Sequence, residues 1–126
     1  MSAQESKATV REYLDTFARD WQEALNRFVA DESLAEHIRF FQQVFPDYTL
    51  EAHDLIAEGD KVVLRATLHG VHQGELMGMA PTGRQVAFPA VVIYQLAGGK
   101  IVNHWVLADQ ASMIQQLTEP SPAAAV

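Results

Sequence analysis

Between positions 10 and 28 the apolar residues return at steps of three and four: Val10, Tyr13, Leu14, Phe17, Trp21, Leu25 and Phe28. That spacing predicts one face of a long helix, from about Gln4 to Val29. Arg11, Glu12, Asp15, Arg19 and Glu23 form its solvated side. Asp31-Glu32-Ser33 interrupts the pattern. Ser33 with Glu36 three residues on reads as a capping box, which predicts a second helix starting there. Leu34, Ile38, Phe41, Val44 and Phe45 give it an apolar stripe, and Pro46 ends it, because the residue before a proline avoids the helical region.

Beyond Pro46 the period falls to two. Strands are predicted at Tyr48 to Ala57, Lys61 to His72, Gln85 to Leu96 and Lys100 to Ala108. In the second, Val62, Leu64, Ala66 and Leu68 share a face opposite Val63, Arg65, Thr67 and His69. A slip of one residue in the Glu58-Gly59-Asp60 turn exchanges the faces of the first strand, so the facing of His53 and Asp54 stays open. Gln73 to Gly83 is a loop rich in turn residues, with Leu76, Met77 and Met79 either as a lid or tucked into the core. Pro89 predicts a bulge or an unpaired position in the third strand.

Gly98-Gly99 suits a type I′ hairpin turn. With Ala97 opposite Lys100, Phe88, Ala90, Val92, Tyr94, Leu96, Ile101, Asn103, Trp105, Leu107 and Asp109 fall on one face. The other face of the third strand is also apolar and calls for a cover, which a second subunit supplies. A short helix from Asp109 or Ser112 through Leu117 closes a single domain, residues 1–119. A flexible tail of residues 120–126 follows.

Helices followed by strands predict an α+β fold, a curved, mostly antiparallel sheet wrapped over N-terminal helices. Such a cone encloses a cavity, with Tyr13, Phe17 and Trp21 facing Tyr94 and Trp105 across it. The 126 residues carry a formal net charge of -7 with no basic cluster, which argues against nucleic acid and anionic membrane as partners. No apolar run reaches the ~20 residues of a spanning helix, and the N-terminal stretch lacks a signal-peptide core. A cytoplasmic protein is the expectation. The absence of cysteine excludes disulfides, thiolate zinc sites and cysteine nucleophiles.

Several residues are candidates for chemistry. Asp109 ends the apolar wall, where lost hydration raises a carboxyl pKa toward that of a general base; the same position also suits the N-cap of the following helix. His72 either polarises a substrate carbonyl or bonds the adjacent loop backbone. Tyr94 and Trp105 orient a ligand or pack as core. Tyr13, Phe17 and Trp21 read foremost as core, and His53 awaits its register. Alternation turns His104 to the outer face, and His37 and His69 read as surface or structural. No histidine pair has HExxH spacing, so no metal is expected. There is no GxSxG and no phosphate loop.

The stretches FPDY (45–48), EGDKVVLR (58–65), GVHQGELMGMAPTGRQV (70–86), GKIVNHWVLAD (99–109) and QQL (115–117) resemble, in order and spacing, the SnoaL-like polyketide cyclase (ester cyclase) family of the nuclear transport factor 2-like fold. The resemblance implies acid/base chemistry next to a carbonyl, without metal or cofactor, on a small hydrophobic carbonyl-containing molecule. It places the acid/base aspartate at Asp109 and matches the family's GTHxG stretch to Gly70–Gly74, with Val71 in place of the threonine. A homodimer is expected. Alternatives on the same fold are a ketosteroid-type isomerase, a limonene-type epoxide hydrolase using Arg65 with Asp54, and a non-catalytic binding or interaction domain.

Overall fold

The computed structural model describes residues 2–119. The order is α1 (Ala3–Arg19), α2 (Trp21–Phe28), α3 (Glu32–Val44), β1 (Thr49–Glu58), β2 (Lys61–Val71), β3 (Gln85–Ala97), β4 (Lys100–Ala108) and α4 (Gln110–Thr118). The four strands pair antiparallel in chain order and curve over the helices, an α+β cone. The expected tail, residues 120–126, lies outside the described residues.

The single long helix expected from Gln4 to Val29 is two helices. Asp20 leaves the helical region (φ -158°, ψ 97°), closing α1 and capping α2. Its carboxylate accepts from the Gln22 and Glu23 amides, and a strong N-cap outcompetes an unbroken apolar stripe. The cap of α3 is likewise Asp31 rather than Ser33: its Oδ1 accepts from the Ser33 and Leu34 amides. The capping box of this chain is at Ser2 and Glu5.

On α1, Val10, Tyr13 and Phe17 face the sheet. From the sheet Val62, Leu64, Phe88, Tyr94 and Leu96 meet them. Tyr13 packs edge-on against Tyr94 at 5.7 Å and Phe28 at 6.0 Å. Ser6 Oγ donates to the Gly59 carbonyl at 2.7 Å, tying α1 to the β1–β2 turn.

Two bulges decide which side chains face the core. In β1 the register shifts between Ala52 and Asp54, at His53. In β4 it shifts by one: Leu96 pairs with Ile101, but Gln95 pairs with Asn103, leaving Val102 as the extra residue. The Gly98-Gly99 turn is as expected, with φ +59° and +77° and Ala97 opposite Lys100. Beyond Val102, however, every facing is reversed. His104, Val106 and Ala108 turn inward, and Trp105 and Leu107 turn outward.

Pro89 causes no bulge. Its pairing with Thr67 is regular, and it lies just beyond the last β3–β4 pair, Ala90 with Ala108. Its carbonyl accepts the Asp109 amide at 3.0 Å, so the missing N–H points to the end of the ladder, where none is required.

Candidate active site

The inner face of the sheet and the helices α1 and α3 enclose an apolar cavity of about 70 Å³. Tyr13, Phe17, Tyr48, Tyr94, His37 and His104 give it its chemical character. Of the site residues expected from the sequence, Tyr13, Phe17 and Tyr94 are in this wall.

The others stand elsewhere. Trp105 lies on the outer face, 47% exposed, with Lys61 Nζ 5.6 Å from its ring centre; the Val102 bulge put it there. Trp21 begins α2 and packs beside the core without lining the cavity. His53 sits in the β1 bulge, exposed, with Nε2 2.7 Å from Thr67 Oγ1. Asp54 and Arg65 form a 2.6 Å ion pair on the exposed face of the sheet, remote from the cavity.

Asp109 is exposed and outside the cavity wall. Its Oδ1 accepts the Ser112 amide at 2.9 Å, the N-cap of α4. Asp109 shares only an open surface cleft with Pro89, Ala90, Val91, Leu107 and Ala108, not the enclosed wall expected of it, because the bulge turns its strand neighbours Trp105 and Leu107 away from the core.

His72 is fully buried, but not in the cavity. Its Nδ1 accepts the Thr82 amide at 3.2 Å, which leaves the ring proton on Nε2, where it has no partner among the described residues. The ring lies tilted beside that of Phe45, with centres 6.0 Å apart. The loop after β2 is thus fastened through His72. Gly74 abuts α3 so closely that a Cβ there would lie 1.8 Å from the Gln43 carbonyl oxygen.

The residue that sequence alternation turned away, His104, is one of the two imidazoles in the cavity wall, with His37 the other. Its Nδ1 lies 2.6 Å from Asp31 Oδ2, with both side chains about nine-tenths buried (10% and 9% exposed). The backbone explains the meeting. The Ile101 carbonyl, one residue before the bulge, accepts both the Ala30 and Asp31 amides at 2.8 and 3.1 Å. The α2–α3 connection is thereby docked on β4, and the bulge turns His104 inward toward it. Asp31 uses one oxygen to cap α3 and the other to hold the imidazole. Burial pushes the Asp31 carboxyl up, but the hydrogen bonds from His104, Ser33 and the Leu34 amide, with His104's charge, outweigh it and hold the carboxyl below its usual range.

With Nδ1–H donated to Asp31, the neutral ring keeps Nε2 as its free basic nitrogen. His37 stands beside it, ring centres 6.3 Å apart. Burial, and then the charge of His104, keep His37 below the ordinary imidazole value. Burial raises Tyr94 and Tyr48, and it raises Tyr13 with the neighbouring phenols adding to the effect. All three therefore remain neutral hydroxyl donors at ordinary pH. None of the three hydroxyls is hydrogen-bonded to another described residue. Among the described residues no group of three or more metal-ligating side chains comes together, and no helix is long and apolar enough to cross a membrane.

The arrangement defines a cone-fold protein whose apolar cavity is lined by three phenols and two imidazoles, one of which, His104, is held by the Asp31 carboxylate. The family model of the SnoaL-like polyketide cyclases matches residues 3–117, and the chain belongs to that family. Aklanonic acid methyl ester cyclase AcmA of Streptomyces galilaeus is 33% identical over 92 residues, 72% of this chain and 64% of that relative's length. The chain thus matches less than two thirds of that relative. Among solved structures, AclR from Streptomyces galilaeus superposes with a TM-score of 0.80 at 26% identity, covering 98% of this chain and 89% of that one. A SnoaL-like polyketide cyclase from Agrobacterium tumefaciens gives 0.74 at 20% identity, covering 93% and 98%; at that identity the likeness is one of fold.

Proposed function

We propose that this protein is a small-molecule enzyme that moves a proton next to a carbonyl inside the apolar cavity, with His104 as the base. The observation that carries this reading is the buried His104–Asp31 pair at 2.6 Å on a wall of phenols. His104 Nε2 removes the proton α to the carbonyl, and Asp31 stabilises the imidazolium that forms. A Tyr13, Tyr48 or Tyr94 hydroxyl donates to the enolate oxygen, and apolar surroundings strengthen that contact. In a cyclase-type reaction the carbanion would attack a second carbonyl of the same molecule. A C–C bond forms, and the new alkoxide takes the proton back from the imidazolium. No step calls on a cofactor.

The proposal assigns the cap role to Asp109 and the base role to His104. Its test is deuterium uptake from D2O into the α-carbons of 2-butanone, followed by NMR. The wild type accelerates exchange over buffer, and D109N exchanges at the wild-type rate, because asparagine still caps α4. H104Q falls by roughly 10²–10⁴-fold toward background. No acceleration by the wild type, or an undiminished rate in H104Q, overturns the reading.

The proposed partner is a second copy of the chain, on the outer face of the sheet. Ile56, Val63, Ile93 and Trp105 form one row across all four strands, with Val91 and Leu107 in the next. A contiguous apolar face on a chain with net charge -7 favours a cover of the same surface over an acidic or basic partner.

A further inference from the structure

The cavity is smaller than the chemistry proposed for it. At about 70 Å³ it has room for a few water-sized groups, since one water occupies ~10–15 Å³ on this measure. That suits a carbonyl and its immediate carbons. The rest of any larger substrate must leave the cavity, and the surface shows where. Val106 lines the cavity and is also 40% exposed, and His37 lines it from α3 across from β4. The cavity therefore meets solvent between α3 and β4.

Beside that opening runs a groove of about 460 Å³ over α3, α4 and the loop after β2, its apolar lining made by Phe40, Phe41, Leu76, Met77 and Met113. His37 and Phe41 belong to both spaces. Their rings, 4.8 Å apart and tilted by 30°, form the partition. Continuity of the two lining sets is the first argument that they serve one ligand.

Two exposed apolar side chains supply the second. Phe40 is 46% exposed and Met77 is 74% exposed, both on this groove. Met77 adopts φ +47°, followed by Gly78 at +81°, in a tight turn closed by reciprocal Leu76–Met79 backbone hydrogen bonds of 3.0 and 2.8 Å. Asparagine or glycine suits the first of these positions; methionine there is strained. Leu76 is buried and pins the turn, so the strained residue holds a thioether chain out over the groove.

Charge narrows the ligand further. Among the described residues the groove's one carboxylate is Glu36, and no Lys or Arg lines it. An anionic tail has no counter-charge there. Resting on the carbonyl chemistry proposed above, we infer that the cavity and this groove form one bipartite site, whose substrate is a small carbonyl head on a neutral apolar body. The head enters past His37 and the body lies over Phe40 and Met77.

The test uses 2-butanone and 2-undecanone as probes, with binding followed by NMR of the methionine methyl groups. The wild type binds 2-undecanone at least about ten-fold more tightly, a modest return for the apolar area of seven added methylenes. The Met77 methyl shifts with the long ketone and stays still with the short one. F40S collapses the affinity ratio toward one. M77G does the same while relieving the backbone, so loss of folding cannot produce the result. Equal affinity of the two ketones for the wild type, or an unchanged ratio in both variants, overturns the inference. These readouts involve no proton transfer. Loss of chain-length dependence with deuterium exchange intact removes the groove alone, and the reverse outcome removes the His104 reading alone.

Discussion

His104 and Asp31 are 73 positions apart in the chain, and the 2.6 Å contact between them joins an edge strand to a helix cap. The aspartate accepts two backbone amides of α3 through Oδ1 while Oδ2 receives the imidazole. One carboxylate thus fixes a helix start and the tautomer of a ring.

That double duty makes Asp31 costly to remove. Asp31→Ala loses a cap, about 1 kcal/mol, and a hydrogen bond to a charged carboxylate, about 1.5–3 kcal/mol. Urea unfolding should show the variant less stable by about 3 kcal/mol. Asp31→Asn keeps the cap and should lose about half as much. In a double-mutant cycle with His104→Ala the coupling should be about 1–2 kcal/mol. A coupling near zero would mean that the contact contributes nothing to folding.

Acid should weaken the fold through the same cluster. His37 is held below the ordinary imidazole value of 6.5. Between the folded and the ordinary value the unfolded chain binds more protons, so stability rises with pH across that window. The contribution is whole above the ordinary value and is lost as pH falls through the folded one. Asp31, lowered from 3.8, adds a second loss further down, by the same sign. The urea midpoint should therefore drop between pH 7 and pH 5. His37→Gln should flatten that segment and leave the loss below pH 4. A full drop in the variant would assign it to another group.

Most of this architecture is legible in the residues, and the failures have two causes, a strand bulge and two helix caps. The period of three and four placed the helices, and the period of two placed the strands to within a residue or two. Gly98-Gly99 located the hairpin, and the stretches around Phe45, Gly70 and Gly99 carried the family. Alternation, however, is a relative signal. A single inserted residue reverses everything beyond it, and Val102 is apolar like its neighbours, so nothing in its chemistry marks it as extra. Trp105 was thereby expected in the cavity and His104 outside. The capping residues Asp20 and Asp31 did carry a signal, an aspartate just before an amphipathic run. The unbroken apolar stripe and the Ser33–Glu36 pair mask it. Asp31's second role depends on contact with a distant strand, which spacing along the chain does not express.

Deleting Val102 tests that account of the facings. Without the extra residue, plain alternation from Ile101 puts Asn103 outward, His104 inward beside Asp31, and Trp105 and Leu107 outward, the facings that the bulged strand already has. The deletion removes only the unpaired residue, so the shortened strand should keep cooperative unfolding. Trp105 emission should stay where it is in the wild type, as for an exposed indole. Emission moved to the blue, or loss of cooperative unfolding, would show that Val102 is not the residue that sets the facing.

The outward turn of Trp105 leads to the last expectation. Ile56, Trp105 and Leu107 are 63%, 47% and 77% exposed on one sheet face, with the Asp54–Arg65 ion pair in the same row as Val91 and Leu107. A two-fold axis through such a face brings each apolar row against its copy and lets ion pairs meet at the rim. Light scattering of the wild type should therefore return about twice the chain mass of 14.0 kDa. The double variant W105E/L107E sets like charges against one another at the centre of that face. It should scatter as a single chain with an unaltered far-UV spectrum, since neither side chain supports the core. His104 and Asp31 lie on the opposite side of the sheet, so the separated chains should still exchange deuterium into 2-butanone. A wild type that stays monomeric at 100 µM would leave the sheet face without its proposed partner.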